Sequence, residues 1–341
     1  MNRKEYMERL QMDLEAVDEQ TAKEILQDFT DHFEQGLSEG RSEEEISEEL
    51  GDPAELISEL NTRPHRQAQA ESQTQIDALS MVSIEAESAD ITLKQGTGND
   101  VLVDFYDSRN PLRVHNYRLE TVQENDVYAI RVIRLQNSWL RAGAGEHLRL
   151  DVTLPSASLD VKISSMSGDI RVPEILHCGK FAASVQSGDI DIRALDAEAV
   201  QFTSASGDIH AAVRGELIEA VSISGDLDLT QAHGKLGKFR TTSGDLDIQG
   251  CFQAVLAESK SGDLDLAIEA AESLKLDTIS GDIHLTLPHT TGFVCSFTTI
   301  SGDLRPHIHL PLERRGRQLS AGDGHAQIAV KTISGDLKIS D

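Results

Sequence analysis

From about Val161 to the end of the chain, apolar and polar positions follow one scheme built around the tripeptide Ser-Gly-Asp. The tripeptide occurs nine times, ending at Asp169, Asp189, Asp208, Asp226, Asp245, Asp263, Asp282, Asp303 and Asp336. The first seven intervals are 18 to 21 residues and the last is 33. Four residues before the serines stand Ile163, Ala183, Phe202, Ala220, Phe239, Ala257, Leu276, Phe297 and Val330. Three residues after them stand Ile170, Ile190, Ile209, Leu227, Leu246, Leu264, Ile283, Leu304 and Leu337. Each side alternates with period two, the signature of strands, and the parity flips across Gly-Asp. A flip of this kind predicts a corner or bulge where the chain passes from one sheet to the next.

One repeat therefore reads as strand, Ser-Gly-Asp corner, short strand and a Gly- or Ala-rich return. A repeat of this length cannot bury its apolar face alone and stacks on its neighbours. Stacking sets like on like about 4.8 Å apart, and the Phe/Ala alternation then fills the interior without overpacking. Each buried Ile or Leu contributes roughly 1.5–3 kcal/mol. The fold class expected is mainly β: a parallel β-solenoid (β-helix) of about ten coils, with a small N-terminal α-helical bundle.

The corner residues are Gly168, Asp169, Gly188, Asp189, Gly207, Asp208, Gly225, Gly244, Gly262, Gly281, Asp282, Gly302, Asp303, Gly335 and Asp336. Glycine is expected there for φ > 0, and Asp to accept from the turn's own amides. The position two before the serine is a hydroxyl in eight of nine copies, Val185 being the exception, and stacked hydroxyls are expected to bond along the axis. A charge-assisted bond from Asp to a turn amide is worth about 1.5–3 kcal/mol. Repulsion between neighbouring carboxylates is roughly 0.8 kcal/mol in water, so a structural role suffices and no metal is required. The competing reading is a face for cations or cationic peptides. Asp226/Asp228, Asp245/Asp247 and Asp263/Asp265 put two outward carboxylates on each of three successive copies, with Asp189/Asp191 as an outlying pair.

The chain divides into an acidic helical domain (1–62), a linker (63–78), an N-terminal cap with early coils (79–160) and the repeat with a C-terminal cap (161–341). In the first, Tyr6, Leu10, Leu14 and Val17 keep helical spacing, as do Ile25, Leu26, Phe29, Phe33 and Leu37. Gly36 and Gly40 are expected to end the second helix. Ser42 with Glu45 is a capping box for a third helix that Gly51 closes, and Asp52-Pro53 opens a fourth. Between Leu79 and Pro155 the strand-like segments are Met81–Ile84, Ile91–Leu93, Val101–Phe105, Val127–Ile133 and Leu148–Leu154, and Ser88-Ala89-Asp90-Ile91 reads as a degenerate copy. The last interval, with Pro306 to Pro311 and Arg314-Arg315-Gly316-Arg317, is expected to form a hairpin closing the C-terminal end.

A net charge of −27 in 341 residues opposes direct binding of nucleic acid or anionic membranes. Cys178, Cys251 and Cys295 are odd in number and lack metal spacing, which points to a reducing interior. Neither a signal peptide nor 18 consecutive apolar residues occurs, so no membrane span is expected and the chain reads as cytoplasmic. Phosphate-cradling loops, nucleophile elbows and paired metal ligands are missing. We therefore expect no enzyme and no cofactor. His307 and His309 share a strand face as surface residues or metal chelators, and Trp139 is a packing residue or a ligand contact.

Two resemblances add to this. Arg3-Lys4-Glu5-Tyr6-Met7-Glu8-Arg9-Leu10, then Asp31-His32-Phe33-Glu34-Gln35-Gly36, then Leu50-Gly51-Asp52-Pro53 resemble the bacterial HAAS domain, an α-helical signalling module. That resemblance implies a protein partner, a PadR-type regulator. Residues 79–341, through the repeated Ser-Gly-Asp-Ile/Leu, resemble a bacterial β-strand-repeat family of candidate adhesins. An envelope-stress component is the partner that this second resemblance implies. Together they imply a non-enzymatic interaction or scaffold protein in bacterial regulation or envelope-stress signalling. The alternatives are an adhesin-like module presenting its acidic face to cations, cationic peptides or glycans, and a carbohydrate-active solenoid.

Overall fold

The structure, a computed structural model, describes residues 1–14, 40–51, 53, 79–107, 117–134 and 147–341, with Leu26, Phe29, Thr30, Phe33, Glu34, Gly36 and Leu37. The chain forms two compact units, Met1–Gln69 and Ala70–Asp341. The expected linker, most of the fourth helix and Trp139 lie outside the described residues.

In the first unit, α1 (Arg3–Asp13) opens on a capping box, the Asn2 side chain accepting from the Glu5 amide. The second box, Ser42 with Glu45, opens α2 (Glu43–Leu50). Tyr6, Phe33, Ile46 and Leu50 are buried together, and the Tyr6 ring meets Phe29 at 5.9 Å and Phe33 at 5.5 Å. Gly36 does not end the second helix as its residue type suggests; it is helical, and a side chain there would collide with Ile46. Close helix packing explains this glycine. The stop is Gly40, at φ +83°, with Arg41 N–H donating to Gly36 O and Gly40 N–H to Leu37 O, a Schellman ending.

The second unit is a stack of coils. Its strands begin with β1 (Met81–Ala86), β2 (Asp90–Gln95), β3 (Leu102–Asp107), β4 (Tyr117–Glu124), β5 (Val127–Arg134), β6 (Leu148–Leu154) and β7 (Asp160–Ser165). The long strands follow: β8 (Ile170–Val185), β9 (Ile190–Ser204), β10 (Ile209–Ser222), β11 (Leu227–Arg240) and β12 (Leu246–Ser261). Then come β13 (Leu264–Ala270), β14 (Ser273–Ser280), β15 (Ile283–Thr286), β16 (Phe293–Thr298) and β17 (Leu304–His307). The last are β18 (Leu312–Arg315), β19 (Gln318–Ala321), β20 (Ala326–Lys331) and β21 (Leu337–Ser340).

Strands β7 to β12 pair parallel, each with the next. In β8 to β12 no irregular return separates the two halves of a repeat. One strand runs from corner to corner, bent where the register shifts, as between Leu229 and Ala232. Parity decides the core. Phe202 lies in register with Ala183 and Ala220, and Phe239 with Ala220 and Ala257, all at most 2 % exposed. Two further ring pairs, Phe181–Phe202 and Phe239–Phe252, meet edge to face at 6.0 and 5.7 Å.

At both ends the order in space departs from the order in sequence. The β1–β2 layer lies between β5–β6 and β7–β8, while β4 and β3 cover the outer side antiparallel. At the other end, β20–β21 lies between β14–β15 and β16–β17, so the coil ending the sequence is internal. The expected hairpin exists as β18–β19 and covers β16 antiparallel. Pro306 accounts for this order. Leu337 N–H donates to Asp303 O, so in parallel pairing the amides of Leu304 and of position 306 point away from β21, toward the open edge. Proline has no amide to offer there, which fits a terminal strand and penalises any layer stacked beyond it.

Candidate functional site

The corner aspartates form one continuous ladder. Each Oδ1 but that of Asp303, in the last layer, accepts from the backbone amide of the corner aspartate in the next layer, not from its own turn. Asp189 N–H donates to Asp169, Asp208 to Asp189, Asp226 to Asp208, Asp245 to Asp226, Asp263 to Asp245 and Asp282 to Asp263, at 2.7–3.0 Å. Asp169 donates to Asp90, so the degenerate copy starts the ladder. Asp336 then donates to Asp282, and Asp303 to Asp336. Charge-assisted bonds of this kind exceed the repulsion between neighbouring carboxylates.

The glycines are required for a reason other than φ. Among the corner glycines only Gly281 has a positive φ, 157°, near the extended limit. A methyl at Gly168 would fall on Ala89 O. At Gly188, Gly207, Gly225, Gly244, Gly262, Gly281 and Gly335 it would fall on the carbonyl oxygen of the glycine in the preceding layer. At Gly302 it would meet Gly335 O in the same way. Adjacent layers approach so closely that no Cβ fits.

The hydroxyls two before each serine do not bond one another along the axis. Ser165, Ser204, Ser222 and Thr241 accept the amide of the glycine three residues on, at 2.9–3.0 Å. From Gly262 onward the amide turns to the neighbouring layer, Gly262 to Ser280 O, Gly281 to Ser334 O and Gly335 to Ser301 O. The hydroxyls of Ser259, Thr278, Thr299 and Thr332 are then left without a partner among the described residues. The two corner types make opposite predictions. Thr241→Val should cost about 1 kcal/mol in chemical denaturation, and Thr278→Val should be neutral or stabilising.

Beside the ladder runs a second outward column, four residues after each serine. In spatial order it is Arg171, Asp191, His210, Asp228, Asp247, Asp265, His284, Lys338 and Arg305. Its ends are cationic, and both arginines bridge two rungs. Arg171 lies 3.7 Å from Asp90 and 2.6 Å from Asp169, and Arg305 lies 2.8 Å from Asp336 and 3.7 Å from Asp303. Its centre is anionic, with His284 Nδ1 2.9 Å from Asp265 and His210 Nδ1 3.6 Å from Asp228. The six candidate aspartates thus separate: Asp226, Asp245 and Asp263 accept amides, while Asp228, Asp247 and Asp265 stack outside the ladder. The arginines and histidines were absent from the candidate residues, although aligning the repeats at this position exposes them.

Partial burial, with Asp228 and Asp265 on either side, raises the Asp247 carboxyl above its ordinary range despite a bond from Gln249. A raised carboxyl disfavours the folded state when charged. The penalty is absent below the unfolded pKa and fully present above the folded one. Asp247→Asn should therefore stabilise at pH 7, by less than about 0.5 kcal/mol because solvent screens the site, and the gain should vanish in acid. Urea midpoints at the two pH values check it.

His307 and His309 do not form a pair. His307 Nδ1 faces Arg305 O, and His309 lies beyond the strand with Nδ1 2.8 Å from Asp341. Among the described residues no group of three or more His, Cys, Asp or Glu side chains is arranged to hold a metal. Burial pushes the Cys178 and Cys295 thiols up to about 12, which leaves them unreactive. On the helical unit a groove of about 660 Å³ opens beside α1, lined by Arg3, Lys4, Met7, Gln11, Leu26 and Glu43 among others.

The profile of the family described as Toastrack DUF4097 matches residues 79–340, the whole stack from β1 to β21. The chain belongs to the Toastrack DUF4097 family. The HAAS profile matches residues 5–59, which include both described helical caps except Asn2. Three crystal structures resemble the Toastrack unit at low identity. A candidate lipid-binding protein from Parabacteroides distasonis is 12 % identical, with 76 % of this chain and 92 % of that one covered and a TM-score of 0.49. A candidate adhesin from Bacteroides fragilis is 14 % identical, with 77 % and 93 % covered and a TM-score of 0.42. A candidate cell adhesion protein from Clostridium sporogenes is 9 % identical, with 77 % and 93 % covered and a TM-score of 0.20. No curated protein matches the chain.

Proposed function

We propose that this chain is a non-enzymatic scaffold of bacterial regulation, in which the HAAS-type domain docks a regulatory protein and the Toastrack stack is a rigid platform. The observation that carries this reading is the use of the repeat. Its most regular polar groups, the corner aspartates, are spent on backbone amides of the next layer. What repeats is therefore architecture, and recognition falls to the surfaces that vary. The groove beside α1 joins apolar Met7 and Leu26 to the charges of Arg3, Lys4 and Glu43, a composition suited to a protein segment. A PadR-type regulator or an envelope-stress component is the partner class proposed, working with the chain in the cytoplasm. Among the described residues no helix is long and apolar enough to cross a membrane.

Capture of partners from the native cell tests this, comparing the whole chain with a Lys4→Glu/Gln11→Ala variant. The reading expects one regulatory protein to be retained by the first and lost by the second. Equal capture by both would remove the groove from the account.

A second reading has its own observation. Asp228, Asp247 and Asp265 stand free of the ladder in successive layers, and Asp247 and Asp265 are exposed. This column is the part of the acidic face able to meet a cation, a cationic peptide or a glycan. Titration with a Lys-rich peptide, against the triple Asp→Asn variant, separates the two readings.

A further inference from the structure

The layer made by β20 and β21 is internal, and a four-residue turn, residues 322–325, joins it to the hairpin strand β19 before it. That turn is built on Gly322 and Gly324, at φ +59° and +72°. The layer fills a gap whose two walls are chemically alike. Residues 278–282, 299–303 and 332–336 all read Thr-Ile-Ser-Gly-Asp, followed by Ile or Leu. In the gap, Ile328 and Val330 lie in register with Leu274 and Leu276 on one side, and with Cys295 and Phe297 on the other. Asp336 donates its amide to Asp282 and accepts from Asp303, both at 2.8 Å.

We propose that residues 326–341 form an exchangeable layer through which a second copy of this chain joins the first. Each copy's layer fills the gap between residues 273–286 and 293–307 of the other. Three features carry this. The link from β19 to the layer is a short turn with two left-handed glycines, which can open as a hinge. Every bond and buried contact it makes is remade in the other copy, which is the condition for swapping at low cost. The open state is also partly compensated, because the two walls carry the same corner. When the layer leaves, 293–307 can settle on 273–286 with Phe297 over Leu276, Leu304 over Ile283 and the Asp303 amide on Asp282. Pro306 keeps its missing amide on the outer edge in that arrangement too, so the collapse loses no bond there.

The test uses full-length chains and the Thr286–Ser340 pair, whose hydroxyls lie 3.1 Å apart on the outward face of β15 and β21. Thr286→Cys and Ser340→Cys are made in separate chains, each with Cys251→Ser to remove the half-exposed native thiol. The chains are mixed, held just below the urea midpoint, returned to buffer and oxidised. We expect a shift from monomer to dimer mass, with the disulfide mapped to 286–340 and a yield that rises with protein concentration. The double variant in one chain should close the same disulfide within itself when never exposed to urea. Monomer masses alone from the mixture, with the double variant closing normally, would overturn the proposal, as would dimers linked elsewhere. If either cysteine variant fails to fold, unmodified chains of two lengths are annealed together instead. Mixed dimers that persist on dilution support exchange. Dimers that dissociate at once on dilution, or none at all, refute it.

Discussion

Replacing Gly207 with alanine should unfold or severely weaken the Toastrack stack, by about 3 kcal/mol or more. The added methyl would coincide with the carbonyl oxygen of Gly188 and also crowd its carbonyl carbon. Backbone cannot swing aside as a side chain can, and Gly188 is itself held against Gly168 on its other side. Relief would require the two layers to separate, which breaks the Asp208–Asp189 rung between them. Gly98→Ala is the control. It has nothing within 4 Å of the added carbon, and its effect should stay within about 0.5 kcal/mol. Thermal or urea unfolding of the two variants reads the contrast.

The second large effect concerns the acids. Asp245→Ala removes the acceptor of the Asp263 amide, a 2.8 Å bond between layers. Loss of this charge-assisted bond should cost about 1.5–3 kcal/mol. Asp245→Asn keeps an oxygen in place and removes one of a row of like charges, so its cost should be under about 1 kcal/mol. An ion-binding role would order the variants differently, because asparagine would then be nearly as damaging as alanine. Adding calcium or a chelator should leave the unfolding midpoint of the natural chain unchanged.

These outcomes bear on what the sequence could disclose. The core was legible because parity is a local property. Ile170 to Leu337 and Ile163 to Val330 had to face inward once period two was recognised, and all are buried except Leu304 on the terminal layer. The partner of each corner atom was not legible, since it lies one layer away. An Asp can accept from its own turn or from the next layer with equal chemical sense, and only the stacking geometry chooses. The glycines were assigned to the right place for the wrong reason, because close approach between layers leaves no mark in a single repeat. The order of the last three layers was hidden by the identity of their Thr-Ile-Ser-Gly-Asp corners. Pro306 was the only sign that its coil must come last in space. In the helical unit the capping boxes could be read from residue types, whereas Gly36 could not be told from a helix stop until Ile46 was seen against it.

Residue-resolved amide hydrogen exchange at Asp189, Asp208, Asp226, Asp245, Asp263 and Asp282 probes the rungs themselves. Their side chains face water at a bend, where loop amides exchange quickly. If carboxylates lock one layer to the next, these six amides should exchange as slowly as those of Ile190, Ile209 and Leu227 in the buried strands. Exchange at loop rates, with the strands still protected, would show that the acids do not hold the stack and would return them to the list of candidate ligand groups.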